Sequence, residues 1–528
     1  MRSSSARVKF IALWGLLLAA KLAFAAAMPL FGDEAFYAWE ALHPAWAYSD
    51  VPGGTPAMVA LGTATIGDHA LGVRLLFVAA GAALPWLVVR IARRLGTREQ
   101  AWRAGLWSLP IPLLVPLGVM ALPDALLTLA ALLAMDASVG LLRDDHRPRT
   151  ALYAQFALAL ALGAFAHYRF APLLLVGALA FVIAGGWRRR RDVGLWLALA
   201  VGAAAWWPII AYNLDADGAG WRFQLVERHP WAFNAKGLLQ PLLQAIITTP
   251  LLYALFAWAL WRTWRDETQA QRRFVALAGG ALWLLYALLA PFVDKARFSL
   301  HWPIPAYLLA AILLPIALDR ARAAVANARA GIEAWPLRVA PWAAWLAAAA
   351  TALMLAMFVV PSSSTLAARS AGTALYPDNY VGWREIADAL RPRLAPGDVV
   401  IADHFMLAAQ LSFALDRRAE VFVLDHWNNH KHGRAPQIAA WNYDEASLAR
   451  IAPGTRAWIA FEVGETPERD HAAWVARPCR WFEAIDHVAT VDGPGGGKRF
   501  WLYRGVRRDG EGAEGETRCA VAVPSPSG

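Results

Sequence analysis

A group of carboxylate and phenol side chains follows the first apolar run of the chain. Asp33, Glu34, Tyr37 and Glu40 lie within a short segment, and Asp50 follows shortly after it. In a helix that begins near Asp33, the side chains of Asp33, Tyr37 and Glu40 share one face because their spacing is i, i+4, i+7. Carboxylates on one face can accept a proton from a hydroxyl group or bind a divalent cation. The segment is therefore a candidate active site.

The same residues also fit a less specific interpretation. Asp33 could cap the helix, as aspartate does well, while Glu34 and Glu40 are solvated. Asp50, shortly before Pro52, could open a turn. The spacing alone leaves both interpretations open.

The composition places these residues in a membrane protein. Of the 528 residues, 58% are hydrophobic and 17% are charged, and the mean hydropathy is +0.38. This predicts a mainly α, polytopic membrane protein. The net charge of +10 comes from arginines clustered between apolar runs, which indicates membrane topology rather than nucleic-acid binding. No glycine-rich phosphate loop stands out, so we expect no nucleotide or organic cofactor.

Apolar runs long enough to cross a bilayer, at about twenty residues each, recur through the first two thirds of the chain. They predict about eleven spans, and up to about thirteen because closely spaced spans merge by this criterion. The predicted spans are 8–30, 69–90, 102–119, 121–141, 151–167, 170–186, 193–212, 239–261, 274–292, 301–318 and 341–360.

The distribution of lysine and arginine predicts the orientation. The clusters that precede the first span and follow the second, fourth, sixth, eighth and tenth all fall on one side, whereas the first opposite loop, 31–68, has no lysine or arginine. The positive-inside rule therefore places the N-terminus in the cytoplasm and Asp33 outside. Abundant alanine and arginine suggest a GC-rich bacterium, hence the inner membrane with a periplasmic site. Ala23-Phe24-Ala25 also resembles a signal-peptidase site, and cleavage there would still leave Asp33 outside.

Near residue 361 the long apolar runs end, and charged residues then occur throughout the sequence. We predict a transmembrane module over 1–361, a soluble α/β periplasmic domain over 362–506 and a disordered tail over 507–528. Predicted strands lie at 399–402, 421–424, 458–461 and 499–503, and a helix at 407–415. Cys479 and Cys519 both follow the spans and are candidates for a disulfide, which an oxidising compartment permits and sequence spacing cannot decide.

Two further groups have open interpretations. Asp124, after Pro123, could cap the following helix or face a ligand pocket. The segment 425–432 contains Asp425, His426, His430 and His432, which could bind a metal or form a polar surface loop.

Several motifs occur in order along the chain: the first loop from Gly32 to Pro52, Gly67 to Leu75, Leu122 to Leu126, Trp207-Pro208, Tyr212-Asn213, Phe223-Gln224 and Trp302 to Tyr307. Together they resemble the membrane glycosyltransferases of family 39. That family includes the protein O-mannosyltransferases, and the lipid A aminoarabinose transferases are similar to it. Two departures are visible. Relatives often carry Asp-x-Pro-Pro where this chain has Asp50-Val51-Pro52-Gly53, and Ser-Lys-Tyr where it has His167-Tyr168-Arg169.

The resemblance implies a GT-C fold and an inverting glycosyltransferase. The donor would be a sugar on a polyprenyl phosphate, and the acceptor a lipid, a glycan or a protein. Asp33 would be the base, with Glu34 and Asp50 orienting it, the acceptor or a bound divalent cation such as Mg, Mn or Zn. A cation on the outer side would neutralise the departing phosphate. The candidates for that cation are Arg169, Lys295, Arg297, Arg222 and Arg74, and the substrate pocket would add Tyr37, Glu40, Asp124, His167, Tyr168, Asn213 and His301.

Two alternatives belong to other classes of protein. A lipid or solute transporter would favour polar residues within spans and two matching halves. A non-catalytic scaffold would keep its activity without Asp33. The concentration of acid in one outer loop favours the transferase.

Overall fold

A computed structural model describes residues 2–143, 149–229, 231–293, 299–327, 334–416, 418–510 and 521–524. The chain divides into two compact units. The membrane unit comprises Met1–Ala26 and Val51–Ala356, and the sheet unit comprises Ala27–Asp50 and Met357–Gly528. The segment Ala27–Asp50, which we grouped with the transmembrane module, therefore clusters with the C-terminal part of the chain.

Helices dominate the chain up to residue 357. In chain order they are α1 (Arg2–Ala27), α2 (Gly32–Glu40), α3 (Gly54–Ile66), α4 (Ala70–Leu95), α5 (Arg98–Ser108), α6 (Pro123–Leu141), α7 (Thr150–Ala166), α8 (Phe170–Ile183), α9 (Val193–Ala204), α10 (Trp207–Asp215), α11 (Ala219–Arg222), α12 (Gln240–Thr248), α13 (Pro250–Asp266), α14 (Ala270–Val293), α15 (Ile304–Ala326) and α16 (Ala334–Met357).

Seven of these segments are long and apolar enough to span a membrane among the described residues, with α9 and α10 together forming one of them. A bent pair, Ala235–Thr248 with Pro250–Asp266, could make an eighth. The chain is thus a multi-pass membrane protein, as predicted. Helices α7 and α8, predicted as spans, are apolar but shorter than the others.

The span predicted at 102–119 is wrong. Helix α5 begins at a capping box, in which Thr97 and Gln100 each bond the backbone N–H of the other, and it ends at Ser108. Pro110 and Pro112 follow, and proline cannot continue a helix because its nitrogen carries no hydrogen. The chain continues as irregular, buried backbone.

Irregular backbone at this depth needs partners for its carbonyl groups. The Lys21 amine of α1 supplies them, donating to the carbonyls of Leu114 at 2.6 Å and Leu117 at 2.8 Å. Gly118, at φ 89°, lets the segment approach Gly81 of α4, where a Cβ atom would lie 2.8 Å from the Gly118 Cα. The segment is therefore held inside the protein without being a helix.

The span predicted at 239–261 is not one straight helix. Its two helices meet at Thr249, which has a φ of 71°, and they are bent by 109°. Pro250 is the first residue of α13, a position where its missing N–H costs nothing.

The sheet unit contains one five-stranded mixed sheet. Strand β1 (Val399–Ala402) pairs in parallel with β2 (Glu420–Val423) and with β3 (Arg456–Glu462). Strand β5 (Arg499–Arg507) pairs antiparallel with β3 and with β4 (Phe482–Asp492). The order is β2-β1-β3-β5-β4. Its helices are α17 (Ser364–Arg369), α18 (Trp383–Leu390), α19 (Phe405–Ala414), α20 (Trp427–Lys431), α21 (Ala435–Ala440) and α22 (His471–Ala476). This confirms the predicted α/β domain.

Helix α2 is part of the sheet unit because of its aromatic face. The Phe36 ring lies 5.6 Å from that of Phe405 on α19 and 5.8 Å from that of Trp441. The Trp39 ring lies 5.4 Å from the Trp441 ring. Gly32 allows close contact, since a Cβ atom there would lie 2.6 Å from the sulfur of Met406. Aromatic burial of this kind fixes α2 against α19.

A glycine at the start of α3 gives a test of packing in the membrane unit. A Cβ atom on Gly54 would lie 2.4 Å from the backbone carbonyl oxygen of Phe165, so we expect Gly54→Ala to destabilise the protein by about 1–3 kcal/mol. The unfolding temperature of the purified protein in detergent measures this. Gly280→Ala in α14 is the matched control, because no atom lies within 4 Å of its Cβ position. Equal stability of the two variants would contradict the close approach of α3 to α7.

Candidate functional site

Helix α2 places the predicted carboxylates in the sheet unit. Its N-cap is Phe31, and the Glu34 carboxylate accepts a hydrogen bond from the Phe31 N–H at 2.9 Å. Asp33 lies in the first turn, where the helix dipole favours a negative charge. The capping role therefore belongs to Glu34 and not to Asp33.

The guanidinium group of Arg434 lies among three acidic side chains. Its Nη2 donates to Asp33 Oδ1 at 3.1 Å, its Nη1 bonds Asp50 Oδ2, and Glu40 Oε1 lies 3.8 Å from Nη1. The group also lies over the Phe36 ring, 4.3 Å from its centroid. We call Asp33, Glu40, Asp50 and Arg434 the arginine–carboxylate cluster.

Exposure distinguishes the three acids. The side chain of Asp33 is 28% exposed, whereas those of Asp50 and Glu40 are 4% and 0% exposed. Asp33 is therefore the member of the cluster that a ligand can reach. Asp50 and Glu40 hold the guanidinium from the buried side.

Burial controls the protonation of the two inner acids. It raises the pKa of Glu40 well above the usual range, and the charge of Asp50 raises this pKa further. Burial also raises the pKa of Asp50, while the opposing charge of Arg434 lowers it. Burial likewise raises the pKa of the Tyr37 phenol, whose ring centroid lies 5.1 Å from the guanidinium carbon. The two carboxyl groups beside Arg434 therefore titrate together, and burial favours the neutral form most strongly at Glu40.

The residues do not fit the divalent cation that the resemblance implied. The guanidinium of Arg434 lies between Asp33 and Asp50, in the position that such a cation would take. A second cation there would be repelled by the first. Within the described ranges, no group of three or more histidine, cysteine and acidic side chains is placed to hold a metal ion.

The polar segment 425–432 pairs His430 with Asp425, while His426 and His432 contact other residues. His430 Nε2 lies 2.6 Å from Asp425 Oδ1, while His426 Nδ1 accepts from the Asn428 N–H at 3.3 Å. His432 lies against the Phe405 ring, 5.2 Å between centroids. Sequence reasoning examined these histidines and missed Arg434, two residues further on. A lone arginine in a soluble segment carries no pattern that identifies it.

A second polar cluster forms in the membrane unit. Arg169 Nη2 donates to Asp124 Oδ1 at 3.0 Å, and His301 Nε2 lies 3.6 Å from the same oxygen. The Arg169 guanidinium lies 5.4 Å from the ring centroid of Trp302. Leu122 is the N-cap of α6, so Asp124 is not the cap and pairs with Arg169 instead.

The neighbouring predicted residues join this second cluster. His167 is buried, and its Nδ1 accepts from the Arg169 N–H at 3.0 Å. Asn213 Nδ2 donates to the Tyr168 hydroxyl at 3.3 Å, and Asn213 Oδ1 accepts from the Trp221 N–H at 2.7 Å. The side chains selected from the sequence thus come from four separate segments that converge within this unit.

An apolar cavity of about 660 Å³ runs along α8 in the membrane unit. Its lining includes Phe170, the residue after Arg169, as well as Gly186, Trp187 and Arg190. Leucine, phenylalanine, tryptophan and alanine side chains make up most of its wall.

The remaining predicted residues lie elsewhere or outside the described ranges. Arg74 is fully buried and donates from Nη1 to the Ala25 carbonyl at 3.0 Å, so its guanidinium is already engaged. Arg222 is 55% exposed and lies 3.7 Å from Glu227. Lys295 and Arg297 lie outside the described residues. Cys479 is buried in the sheet unit, but Cys519 lies outside the described residues, so the disulfide stays a prediction.

We expect Arg434→Met to destabilise the protein by about 3–5 kcal/mol, because it leaves buried carboxyl groups without their counter-charge. The unfolding temperature in detergent measures the loss. Arg384→Met is the matched control, since the Arg384 side chain is 88% exposed in the same unit. Adding Asp50→Asn to Arg434→Met should restore part of the stability. Equal unfolding temperatures for the two single variants would contradict the cluster.

We expect Glu40→Gln to flatten the dependence of stability on pH. Because the pKa of Glu40 is raised in the folded protein, its contribution is complete below pH 4.5 and is lost as the pH rises through the folded pKa. The unfolding temperature of the wild type should therefore fall more than that of Glu40→Gln as the pH rises above about 4.5. Asp403, whose pKa burial raises to about 7, is present in both proteins, so the difference isolates Glu40. Parallel curves would show that Glu40 is ionised.

Comparison with known proteins supports this description of the fold. Residues 50–212 match the model of a family described as dolichyl-phosphate-mannose-protein mannosyltransferase. None of the curated proteins compared with the chain is similar to it in sequence.

The structure is similar to that of ArnT from Cupriavidus metallidurans. The apo form matches with a TM-score of 0.64 and 14% identity over 96% of this chain and 98% of that chain. ArnT bound to undecaprenyl phosphate matches with a TM-score of 0.64 and 16% identity over 94% of this chain and 97% of that chain. The chain therefore has the GT-C glycosyltransferase fold, and the predicted resemblance to mannosyltransferases and aminoarabinose transferases is confirmed.

Proposed function

We propose that this protein is a glycosyltransferase that moves a sugar from a polyprenyl-phosphate donor to a lipid, glycan or protein acceptor. The observation that carries the proposal is the apolar cavity of the membrane unit, whose lining includes Phe170, the residue that follows Arg169 in the sequence. An apolar cavity with a paired arginine next to one of its lining residues suits a molecule with a long isoprenoid chain and a phosphate head. ArnT, which has the same fold, has been determined with undecaprenyl phosphate.

The donor phosphate is assigned to Arg169. Its guanidinium is held by Asp124 and by the Trp302 ring, so it is oriented before the donor arrives. The charge that develops on the leaving phosphate would be stabilised by this fixed cation. His301, within 3.6 Å of Asp124, is assigned to the same end of the donor.

The base is assigned to Asp33. The acceptor hydroxyl attacks the anomeric carbon, the bond from that carbon to the phosphate oxygen breaks, and the hydroxyl proton passes to the Asp33 carboxylate. The products are the glycosylated acceptor and the polyprenyl phosphate. A single in-line displacement inverts the anomeric carbon. Arg434 fixes the Asp33 side chain through the bond to Oδ1, and no step requires a divalent cation.

The proposal extends to the location of the protein. The positive-inside rule would place Asp33 and the sheet unit in the periplasm of a bacterium, with the multi-pass bundle in the inner membrane. The donor would then reach the site from within the bilayer.

Transfer of labelled sugar from polyprenyl-phosphate donors to endogenous acceptors tests the proposal, with membranes carrying equal amounts of each variant. Asp33→Asn should lose about 10²- to 10⁴-fold in activity, the range for a general base. Asp68→Asn, an exposed acid in the same predicted loop, is the matched control and should transfer as the wild type does. Arg169→Met should weaken use of the donor by about 10- to 100-fold, the effect of losing a charged hydrogen bond.

Two results would overturn this assignment. Full transfer by Asp33→Asn would remove Asp33 from the mechanism. No transfer by the wild type with any polyprenyl-phosphate sugar, accompanied by movement of a lipid or solute across the membrane, would favour the transporter instead.

A further inference from the structure

A second cavity lies in the membrane unit, at the far end of α6 and α15 from the Asp124–Arg169 pair. Its volume is about 800 Å³, within the range of about 300–1,000 Å³ that small-molecule sites have. The end of α4, the start of α5, the start of α14 and the last turns of α15 contribute its walls. The side chains that line it include Arg93, Arg94, Gln100, Arg272, Ile316 and Arg320.

The cavity belongs to the opposite end of the helical bundle. Asp124 lies in the first turn of α6, and the helix continues for about 25 Å to Leu141 at 1.5 Å per residue. Likewise, α15 begins at Ile304, shortly after His301, whereas Asp319, Arg320 and Ala323 of its later turns line this cavity. The positive-inside rule assigns this end to the cytoplasmic surface of the membrane.

Arginines outnumber the carboxylates around the cavity. Asp136 contacts Arg90 at 2.8 Å and Arg94 at 2.6 Å. Glu267 contacts Arg272 at 3.0 Å and Arg320 at 2.5 Å. In each case one carboxylate contacts two guanidinium groups. Each group of three side chains therefore carries one net positive charge.

A third carboxylate, that of Asp319, is likewise shared by two arginines. Asp319 contacts Arg103 at 2.7 Å and Arg322 at 2.6 Å, and it also accepts from Gln100 Nε2 at 2.9 Å. Arg93, exposed at the end of α4, adds a further positive charge to the lining. Arg143 also lines the cavity, and the two acids that follow it, Asp144 and Asp145, lie outside the described residues.

Topology alone requires only that arginines lie on one side of the membrane. It does not require that they surround a concavity, or that each carboxylate be shared by two of them. The planar guanidinium group binds phosphate through two parallel hydrogen bonds, and glutamine amides add neutral donors. Leu95 and Ile316 give the same cavity an apolar part of its wall.

We propose that this cavity is a binding site for a phosphate group, carried by an anionic phospholipid head group at the membrane surface or by a soluble phosphate compound. The site is separate from sugar transfer and goes beyond the proposed function. Basic pockets between transmembrane helices on the cytoplasmic side bind anionic head groups, and each arginine near such a surface contributes about 1 kcal/mol. An anion bound here would tie α4, α5, α14 and α15 together.

Native mass spectrometry of the purified full-length protein tests the site, with phosphatidylglycerol, cardiolipin and phosphatidylcholine added in detergent and sodium pyrophosphate in a parallel series. Arg93→Gln should weaken binding of the two anionic lipids by about fivefold, and Arg93→Gln with Arg320→Gln by about 25-fold. Arg98→Gln is the matched control, because Arg98 is exposed at the start of α5 and does not line the cavity. Phosphatidylcholine should bind weakly to all variants.

The outcomes separate the two sources of phosphate. Loss of anionic lipid binding in Arg93→Gln, but not in Arg98→Gln, supports the site with a lipid as its ligand. Loss of pyrophosphate binding alone supports it with a soluble ligand. Equal binding by the wild type, Arg93→Gln and Arg98→Gln in both series would overturn it, and Arg93→Gln decides alone if the double variant does not fold. Because no sugar transfer is measured, failure of the proposed function would leave this test unaffected.

Discussion

The interaction on which the candidate site depends is a buried guanidinium group shared by three carboxyl groups. Arg434 contacts Asp33, Asp50 and Glu40, and removing it would leave acid groups buried without a counter-charge. The raised pKa of Glu40 favours its neutral form, which lowers the negative charge that a single guanidinium must balance. Asp33 is the exposed carboxylate of the cluster. The contacts that stabilise the cluster therefore also fix the orientation of the carboxylate that a ligand can reach.

The sequence predicted the broad architecture because its signals are strong and local. Long apolar runs predict membrane helices, and the alternation of short apolar runs with polar segments predicted β1, β2, β3, β5 and α19. Strand β4 was missed since it lies at the sheet edge, where most of its side chains are exposed and no apolar run marks it. The predicted span at 102–119 failed for a different reason. Its composition is apolar, but prolines break the helix and a lysine from α1 replaces the missing backbone partners.

The candidate site was predictable only in part. Asp33, Tyr37, Glu40 and Asp50 are close in sequence, and the residues around Asp124 belong to motifs that resemble a known family. Arg434 could not be found in this way, because its contact with Asp33 joins residues 401 positions apart. Spacing describes neighbours on one element and carries no information about a partner from a distant element. For the same reason, sequence spacing could not show that the cation among these carboxylates is a side chain of the chain itself.

The sheet unit combines two segments that are far apart in the sequence, and this affects the order in which the protein can fold during synthesis. Ala27–Asp50 emerges from the ribosome early, but its partners on α19 and at Arg434 are synthesised far later. At a translation rate of about 5–20 residues per second, the segment waits roughly 20–80 s for them. During that interval its aromatic and acidic side chains cannot form the contacts with α19 and Arg434 that they make in the folded protein. A chain that stops before residue 434 carries Asp33 without the cation that fixes it, so biosynthesis itself delays assembly of the site until the chain is nearly complete.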